Sequence, residues 1–106
     1  DGLYLCDRSA KKVVVLGFDG APGYDIQEGL VQPRAIAVDA ANRVFVAEGT
    51  DDTIKVFAAR KLVASFGGAG AGPSRYSQIA ALALDENLLY VADSLNARVQ
   101  IVLVSP

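Results

Sequence analysis

The sequence predicts an all-β chain built from short, repeated four-stranded antiparallel sheets. Three observations predict it: apolar runs of four to seven residues, polar and Gly- or Pro-containing segments between them, and a stretch of sequence that occurs three times. Val, Ile, Leu, Tyr and Phe dominate the runs and favour strands, whereas Gly, Asp, Asn and Pro favour the turns between strands. No segment has convincing helical periodicity.

The repeated stretch reads "GLYLCDRSAKKVVVL", "RVFVAEGTDDTIKVF" and "LLYVADSLNARVQIV", and its three copies align without gaps. The copies keep an aromatic residue, a small residue and an acid in register, at offsets of 41 and 45 residues. Each copy predicts two strands joined by a turn that begins at the acid.

Segments around these copies extend the repeat to four strands. "AIAVD", residues 35–39, matches "ALALD", residues 81–85, and predicts a first strand before the second and third copies. "KLVASFGG", residues 61–68, predicts a fourth strand after the middle copy. Four short strands in about 40 to 45 residues are typical of one blade of a β-propeller. The predicted fold is therefore a partial β-propeller with one full blade and two incomplete blades.

The chain divides by this pattern into residues 1–31, a blade without its innermost strand, 32–78, a full blade, and 79–106, a blade without its outermost strand. The Gly- and Pro-rich segments 20–33 and 68–78 are predicted linkers between blades. The chain thus holds roughly two and a half blades, whereas a complete propeller has about four to eight blades. Open end blades expose apolar surface, so we expect self-association or packing against the remaining blades of a longer chain.

The composition limits the classes of function. The chain has 106 residues, 52% hydrophobic and 21% charged, which suits one small domain with an apolar core. Its formal net charge is −2, so it lacks the excess of Lys and Arg that general nucleic-acid binding requires. No apolar run approaches the roughly 20 residues of a membrane-spanning helix. We therefore expect no membrane span and no nucleic-acid partner. The alternative is an RNA-binding module, which would require a basic loop face formed by Arg34, Arg60, Lys61 and Arg75.

Catalytic and metal chemistry is restricted by two residue types. The chain has one cysteine, Cys6, and no histidine. A single cysteine cannot form an intrachain disulfide, and one cysteine without a histidine cannot form a zinc site made of Cys and His. The missing histidine also removes the commonest general base. We expect no cofactor and no catalytic residue here, and we expect Cys6 to be an inert core residue.

The segments "QPRAIAVDAANRVFVAEGTDDTIKVF" and "YVADSLNARVQI" resemble the NHL repeat. The resemblance implies a β-propeller, mostly six-bladed in that family, that binds proteins, RNA or small ligands. A few relatives are enzymes, such as the peptide-amidating lyases, which rely on metal-binding histidines. Since this chain has none, the resemblance favours a non-catalytic binding or scaffold module. The alternative is a fragment of an NHL-like lyase or hydrolase whose catalytic residues lie in other blades.

The repeated acids Asp7, Glu48 and Asp93 have two interpretations. A carboxylate that ends a strand accepts hydrogen bonds from the backbone of a nearby turn, and we favour this structural role. In the alternative, the acids form a ring that binds a cation, for which calcium suits oxygen ligands. We predict no metal site; in the alternative, the three acids would be the ligands. Arg98 is expected to pair with an acid on a neighbouring strand or blade.

The linkers supply the predicted binding residues. Arg34, Arg75, Tyr24 and Tyr76 lie in or beside them, and Arg and Tyr are frequent in interface hot spots. The ligand is expected to be a protein or a small molecule. In the alternative interpretation, the linkers are solvated loops whose tyrosines cover the edge of a blade.

Overall fold

The computed structural model describes residues 2–105, which form ten β-strands. In chain order the strands are β1 (Leu3–Asp7), β2 (Lys12–Leu16), β3 (Pro22–Ile26), β4 (Pro33–Val38), β5 (Val44–Glu48), β6 (Thr53–Ala58), β7 (Lys61–Gly67), β8 (Ile79–Asp85), β9 (Leu88–Asp93) and β10 (Arg98–Leu103). A single 3-10 turn, Ser94–Asn96, is the only helical element in this range. The all-β prediction is confirmed. None of the described residues belongs to a helix with the length and hydrophobicity needed to span a membrane.

The strands of residues 2–105 form three antiparallel sheets, each a meander of consecutive strands. The first sheet has the order β1-β2-β3, the central sheet β4-β5-β6-β7 and the third sheet β10-β9-β8. The three copies of the repeated stretch form equivalent hairpins, β1–β2, β5–β6 and β9–β10. The acid of each copy ends the first strand of its hairpin.

The structure corrects one prediction, because residues 20–33 are not all linker. Strand β3 lies within them, and Pro33 begins β4. Pro22 and Gly23 read as turn residues, but Pro is compatible with the first position of an edge strand, and β3 is at the edge of its sheet. Tyr24 and Ile26 then direct their side chains into the core. The chain therefore holds three sheets of three, four and three strands.

The last strands of the first and central sheets, β3 and β7, are paired with an irregularity at the same place. The register between β2 and β3 shifts between Val15 and Leu16, and the register between β6 and β7 shifts between Val56 and Phe57. These positions are equivalent in the repeat, at the offset of 41 residues. Strand β3 is thus the counterpart of β7. The first sheet holds the second to fourth strands of the repeat, and the third sheet holds the first to third.

The central sheet lies between the other two, and its strand β5 is buried on both faces. All five residues of β5 are buried. Val46 and Phe57 contribute to an apolar cluster with the first sheet. Phe45 and Ile54 contribute to a second cluster with the third sheet. Apolar residues on both sides of β5 thus hold three sheets in chain order.

The remaining faces of the first and third sheets are covered by none of the described residues, and both are apolar. On the first sheet, the side chains of the open face alternate along β1 and β2 with those that pack on the central sheet. We name this open face the receiving face, and it comprises Leu3, Leu5, Val14 and Leu16. On the third sheet, the open face follows β9 and β10; we name it the forward face, and it comprises Tyr90, Ala92, Val99, Ile101 and Leu103.

Candidate functional site: the linker rim

The linkers between sheets meet the hairpin turns at one end of the molecule. We call this region the linker rim, and it comprises residues 27–32, 49–52, 68–78 and 94–97. Backbone hydrogen bonds join its parts: Gly49 donates to the carbonyl of Gln32 at 2.8 Å, and Leu95 donates to that of Ser77 at 3.1 Å. Each linker is therefore fixed against the turn of the sheet that follows it.

Glu48 fastens the first linker to the end of β5. Its buried carboxylate accepts hydrogen bonds from the backbone N–H groups of Val31 at 3.0 Å and Gln32 at 2.9 Å. The hydroxyl of Thr50 donates a third, at 2.6 Å. Burial raises the pKa of Glu48, but these hydrogen bonds together outweigh burial and lower it below its ordinary value. The carboxylate is therefore charged and has its oxygens engaged within the fold.

Asp93 does the same for the second linker. Its fully buried carboxylate accepts a hydrogen bond from the backbone N–H of Ser77 at 2.7 Å. It also accepts side-chain hydrogen bonds from Asn96 at 2.9 Å and Arg98 at 2.8 Å. Burial raises the pKa of Asp93, but the surrounding donors outweigh it and lower the pKa to about 2. The ion pair with Arg98 confirms that this arginine pairs with an acid on a neighbouring strand.

Arg98 and Gln100 extend this network over the linker. The guanidinium of Arg98 donates to the carbonyls of Gly72 and Arg75, both at 3.0 Å. The amide of Gln100 donates to the same Arg75 carbonyl at 2.8 Å. The role of Gln100 was missed at the level of the sequence, because nothing in the sequence specifies which backbone carbonyl a β10 side chain reaches.

The three repeated acids do not converge on one point. Asp7 accepts a hydrogen bond from the backbone N–H of Ala10 at 3.0 Å in an exposed turn of the first sheet. Glu48 and Asp93 lie at the ends of the two other sheets. Residues 2–105 contain no group of three or more His, Cys, Asp or Glu side chains arranged to hold a metal ion. Glu48 and Asp93 make the backbone hydrogen bonds expected of the repeated acids.

Two of the predicted binding residues lie at the joint between the central and third sheets. Arg34, half-buried on β4, donates from Nε to the carbonyl of Ile79 at 3.1 Å and so links the first strands of these sheets. Tyr76 is fully buried in the same cluster. Its ring packs so closely on Gly67, which has φ 92°, that a Cβ there would lie 2.7 Å from a ring carbon. Burial raises the pKa of Tyr76, and the charge of Asp93 adds to this.

The other two predicted binding residues are far apart in the fold. Arg75 is exposed on the linker rim, where its guanidinium donates to the carbonyl of Gly67 at 3.0 Å. Tyr24 lies on β3, packs on the cluster between the first and central sheets, and carries the guanidinium of Arg60 at 4.0 Å from its ring centroid. The binding role of the four residues stays a prediction, and Arg75 has the side chain best exposed for it.

Two basic residues near the linkers, Arg60 and Lys61, lie away from the linker rim. Arg75 contacts Gly67 at the end of β7, whereas Arg60 and Lys61 lie at its beginning. A strand of seven residues separates these positions by about 20 Å. Arg60 and Lys61 therefore do not add to the charge that Arg75 would offer a phosphate backbone.

An apolar groove of about 320 Å³ lies between the central and third sheets, beside the end of β10. It is lined by Arg43, Phe45, Val56, Val63, Ala64, Phe66, Val102, Leu103, Val104 and Ser105. In the described chain β10 is the edge of its sheet, whereas the equivalent strand β6 of the central sheet pairs with β7.

In comparisons with known proteins, the chain matches no protein-family model and no curated protein. The resemblance to the NHL repeat therefore rests on the residues of the three copies.

Proposed function

We propose that this chain supplies three consecutive blades of an NHL-type β-propeller and acts as a non-catalytic binding scaffold through its linker rim. One observation carries the proposal: equivalent residues of the repeat make equivalent contacts at both joints between sheets. Tyr4 and Val13 of the first sheet pack toward the central sheet. Their counterparts Phe45 and Ile54 pack toward the third sheet. Moving one repeat along the chain thus reproduces the same joint, as in successive propeller blades.

The hydrogen bonds of the linker rim support a scaffold rather than a catalyst. Glu48 and Asp93 have their oxygens engaged by backbone and side-chain donors, which hold the linkers in place. A rigid rim of this kind presents exposed side chains, such as that of Arg75, at fixed positions. Loops held by a rigid scaffold are frequent sites of binding. The net charge is −2, and Arg60 and Lys61 lie away from the rim. Together with the ion pair of Arg98 with Asp93, this favours a protein or a small molecule as the ligand over a nucleic acid.

The architecture is tested by a crystal structure of the purified chain. We expect the sheets to radiate from a common axis, with the first strands β4 and β8 nearest that axis. A parallel stack of sheets, with no common axis, would contradict a propeller.

The binding role is tested with a library of random peptides displayed on phage and selected against the immobilised chain. Arg75→Ala is expected to weaken the selected peptides at least about tenfold, the effect of losing one hot-spot contact of about 1.4 kcal/mol. Arg60→Ala is the matched control, because Arg60 lies at the opposite end of the central sheet, and it should change affinity less than about twofold. The absence of any enriched peptide, or peptides sensitive to Arg60 alone, would refute binding at the linker rim.

A further inference from the structure

Apolar side chains on the two open sheet faces are far more exposed than the equivalent side chains in the other copies of the repeat. On the receiving face, Leu5 is 51% exposed, while its counterparts Val46 and Val91 are both 0% exposed. The difference arises because the central and third sheets have a preceding sheet against this face. A leucine left half-exposed where two equivalent residues are fully buried indicates a surface made for a partner.

The forward face is also more exposed than its counterparts in the other two sheets. Ile101 is 61% exposed, while its counterparts Val15 and Val56 are 3% and 5% exposed. Those two residues are covered because another sheet follows theirs in the chain. The third sheet has no following sheet among residues 2–105.

These two faces are the two halves of one joint. At both joints within the chain, the face of one sheet that is equivalent to the forward face packs on the face of the next sheet that is equivalent to the receiving face. The first sheet carries the open receiving face and the third sheet carries the open forward face. We infer that the forward face of one copy of this chain packs on the receiving face of a second copy, and that two copies close a ring. Ile101 of one copy then occupies the place against Leu5 of the other that Val56 occupies at the third sheet.

The closure follows from the position of the faces. Each copy offers one face of each kind, at opposite ends of its order of sheets, so two copies form the same head-to-tail joint twice. Together they bring six sheets into one ring, within the range of about four to eight blades known for propellers. A head-to-tail contact of this kind closes a ring when the rotation per copy permits it. This inference rests on the proposed propeller architecture.

The test is a pair of complementary charge variants, Ile101→Lys and Leu5→Glu, with mass measured by light scattering after size exclusion. The unaltered chain is expected at twice the single-chain mass. Each variant alone buries an unpaired charge at both joints of its own dimer, so its dissociation constant should rise at least about 100-fold. Mixed one to one, the variants should recover a dimer, because one joint then pairs Lys with Glu and the other is unaltered.

Phe18→Lys is the matched control, since Phe18 is an exposed apolar residue in a turn outside both faces, and it should leave the dimer unchanged. A folded monomer of the unaltered chain, judged by circular dichroism, would overturn the inference. So would loss of the dimer in Ile101→Lys but not in Leu5→Glu, which would indicate that two third sheets face each other. Open assemblies larger than a dimer would overturn closure by two copies.

Failure of this inference is distinguishable from failure of the proposed function. A folded monomer that still binds the selected peptides through Arg75 would refute the second copy and leave the binding scaffold standing. A dimer that responds to the charge variants but enriches no peptide would do the reverse.

Discussion

The central sheet and the two outer sheets carry the same repeated sequence but differ in what surrounds them. Every residue of β5 is buried, whereas β1 alternates between exposed and half-buried positions. The residues differ little in polarity: Val46 and Leu5 are equivalent and both apolar. The difference in exposure therefore comes from the number of neighbouring sheets and not from the side chains. An apolar residue at an open position of a repeat indicates where the next neighbour belongs.

The largest effect is expected from truncating the same position in the central and third sheets. Ile54→Ala removes a fully buried side chain and should lower the free energy of unfolding by about 2–5 kcal/mol. Val99→Ala, at the equivalent open position, should lower it by less than about 0.5 kcal/mol in dilute solution, where association does not contribute. Urea denaturation followed by circular dichroism measures both. Equal losses would contradict the contrast between the sheets.

The repeated acids give the next largest contrast. Glu48→Gln replaces an acceptor that serves three backbone N–H groups and a hydroxyl, so we expect a loss of about 2 kcal/mol in the free energy of unfolding. Asp7→Asn alters an exposed turn with a single such hydrogen bond, and Asn remains a good acceptor there, so the loss should be about 0.5 kcal/mol or less. The order of the two urea midpoints decides the matter, and a larger loss for Asp7→Asn would disprove it.

Lowering the pH should destabilise the joint between the central and third sheets. The pKa of Asp93 is about 2 in the folded chain, below the 3.8 of an unperturbed Asp, so its ionised form stabilises the fold above about pH 4. That contribution is lost as the pH falls from about 4 to about 2. The urea midpoint of the unaltered chain should therefore fall across this interval, and Asp93→Asn should show a smaller fall. Parallel pH profiles for the two proteins would rule out this role for Asp93.

The smallest effect concerns a hydroxyl at the same joint. The Tyr76 hydroxyl is buried and has no hydrogen-bond partner among residues 2–105. Tyr76→Phe removes an unsatisfied polar group, so stability should stay unchanged or rise by up to about 1 kcal/mol. Tyr24→Phe is the control, because the side chain of Tyr24 is hydrogen-bonded with that of Tyr4, and a small loss is expected there. A thermal melt that places Tyr76→Phe well below the unaltered chain would contradict the prediction.

Much of the fold follows from the sequence because its period is repeated. The hairpin with Glu48 at its turn and the hairpin with Asp93 at its turn were predictable from alignment alone. Strand β3 was not, because Pro22 and Gly23 are turn residues by local preference, and only pairing with β2 makes them part of a strand.

The candidate site was less predictable than the fold. Tyr76 was predicted to be a binding residue because tyrosine is frequent at interfaces. The burial of its side chain was not predictable, because it depends on the close approach of Gly67, which no local pattern encodes. Similarly, the sequence indicates that Asp93 ends a strand, but not that the linker bends back so that Ser77 donates to it. Contacts between residues 16 positions apart depend on the packing of the sheets, and a single sequence does not reveal them.

The unpaired edge of β10 has a consequence for how this chain behaves over time. Residues 99–104 read "VQIVLV", without charge, Pro or Gly, and the backbone along one side of this strand is open in the described chain. Segments of this composition at an open edge readily recruit identical strands into cross-β fibrils. The association that we propose through the forward face would therefore compete with amyloid growth from the adjoining edge. A chain prevented from finding its neighbour is expected to convert slowly into fibrils that bind thioflavin T.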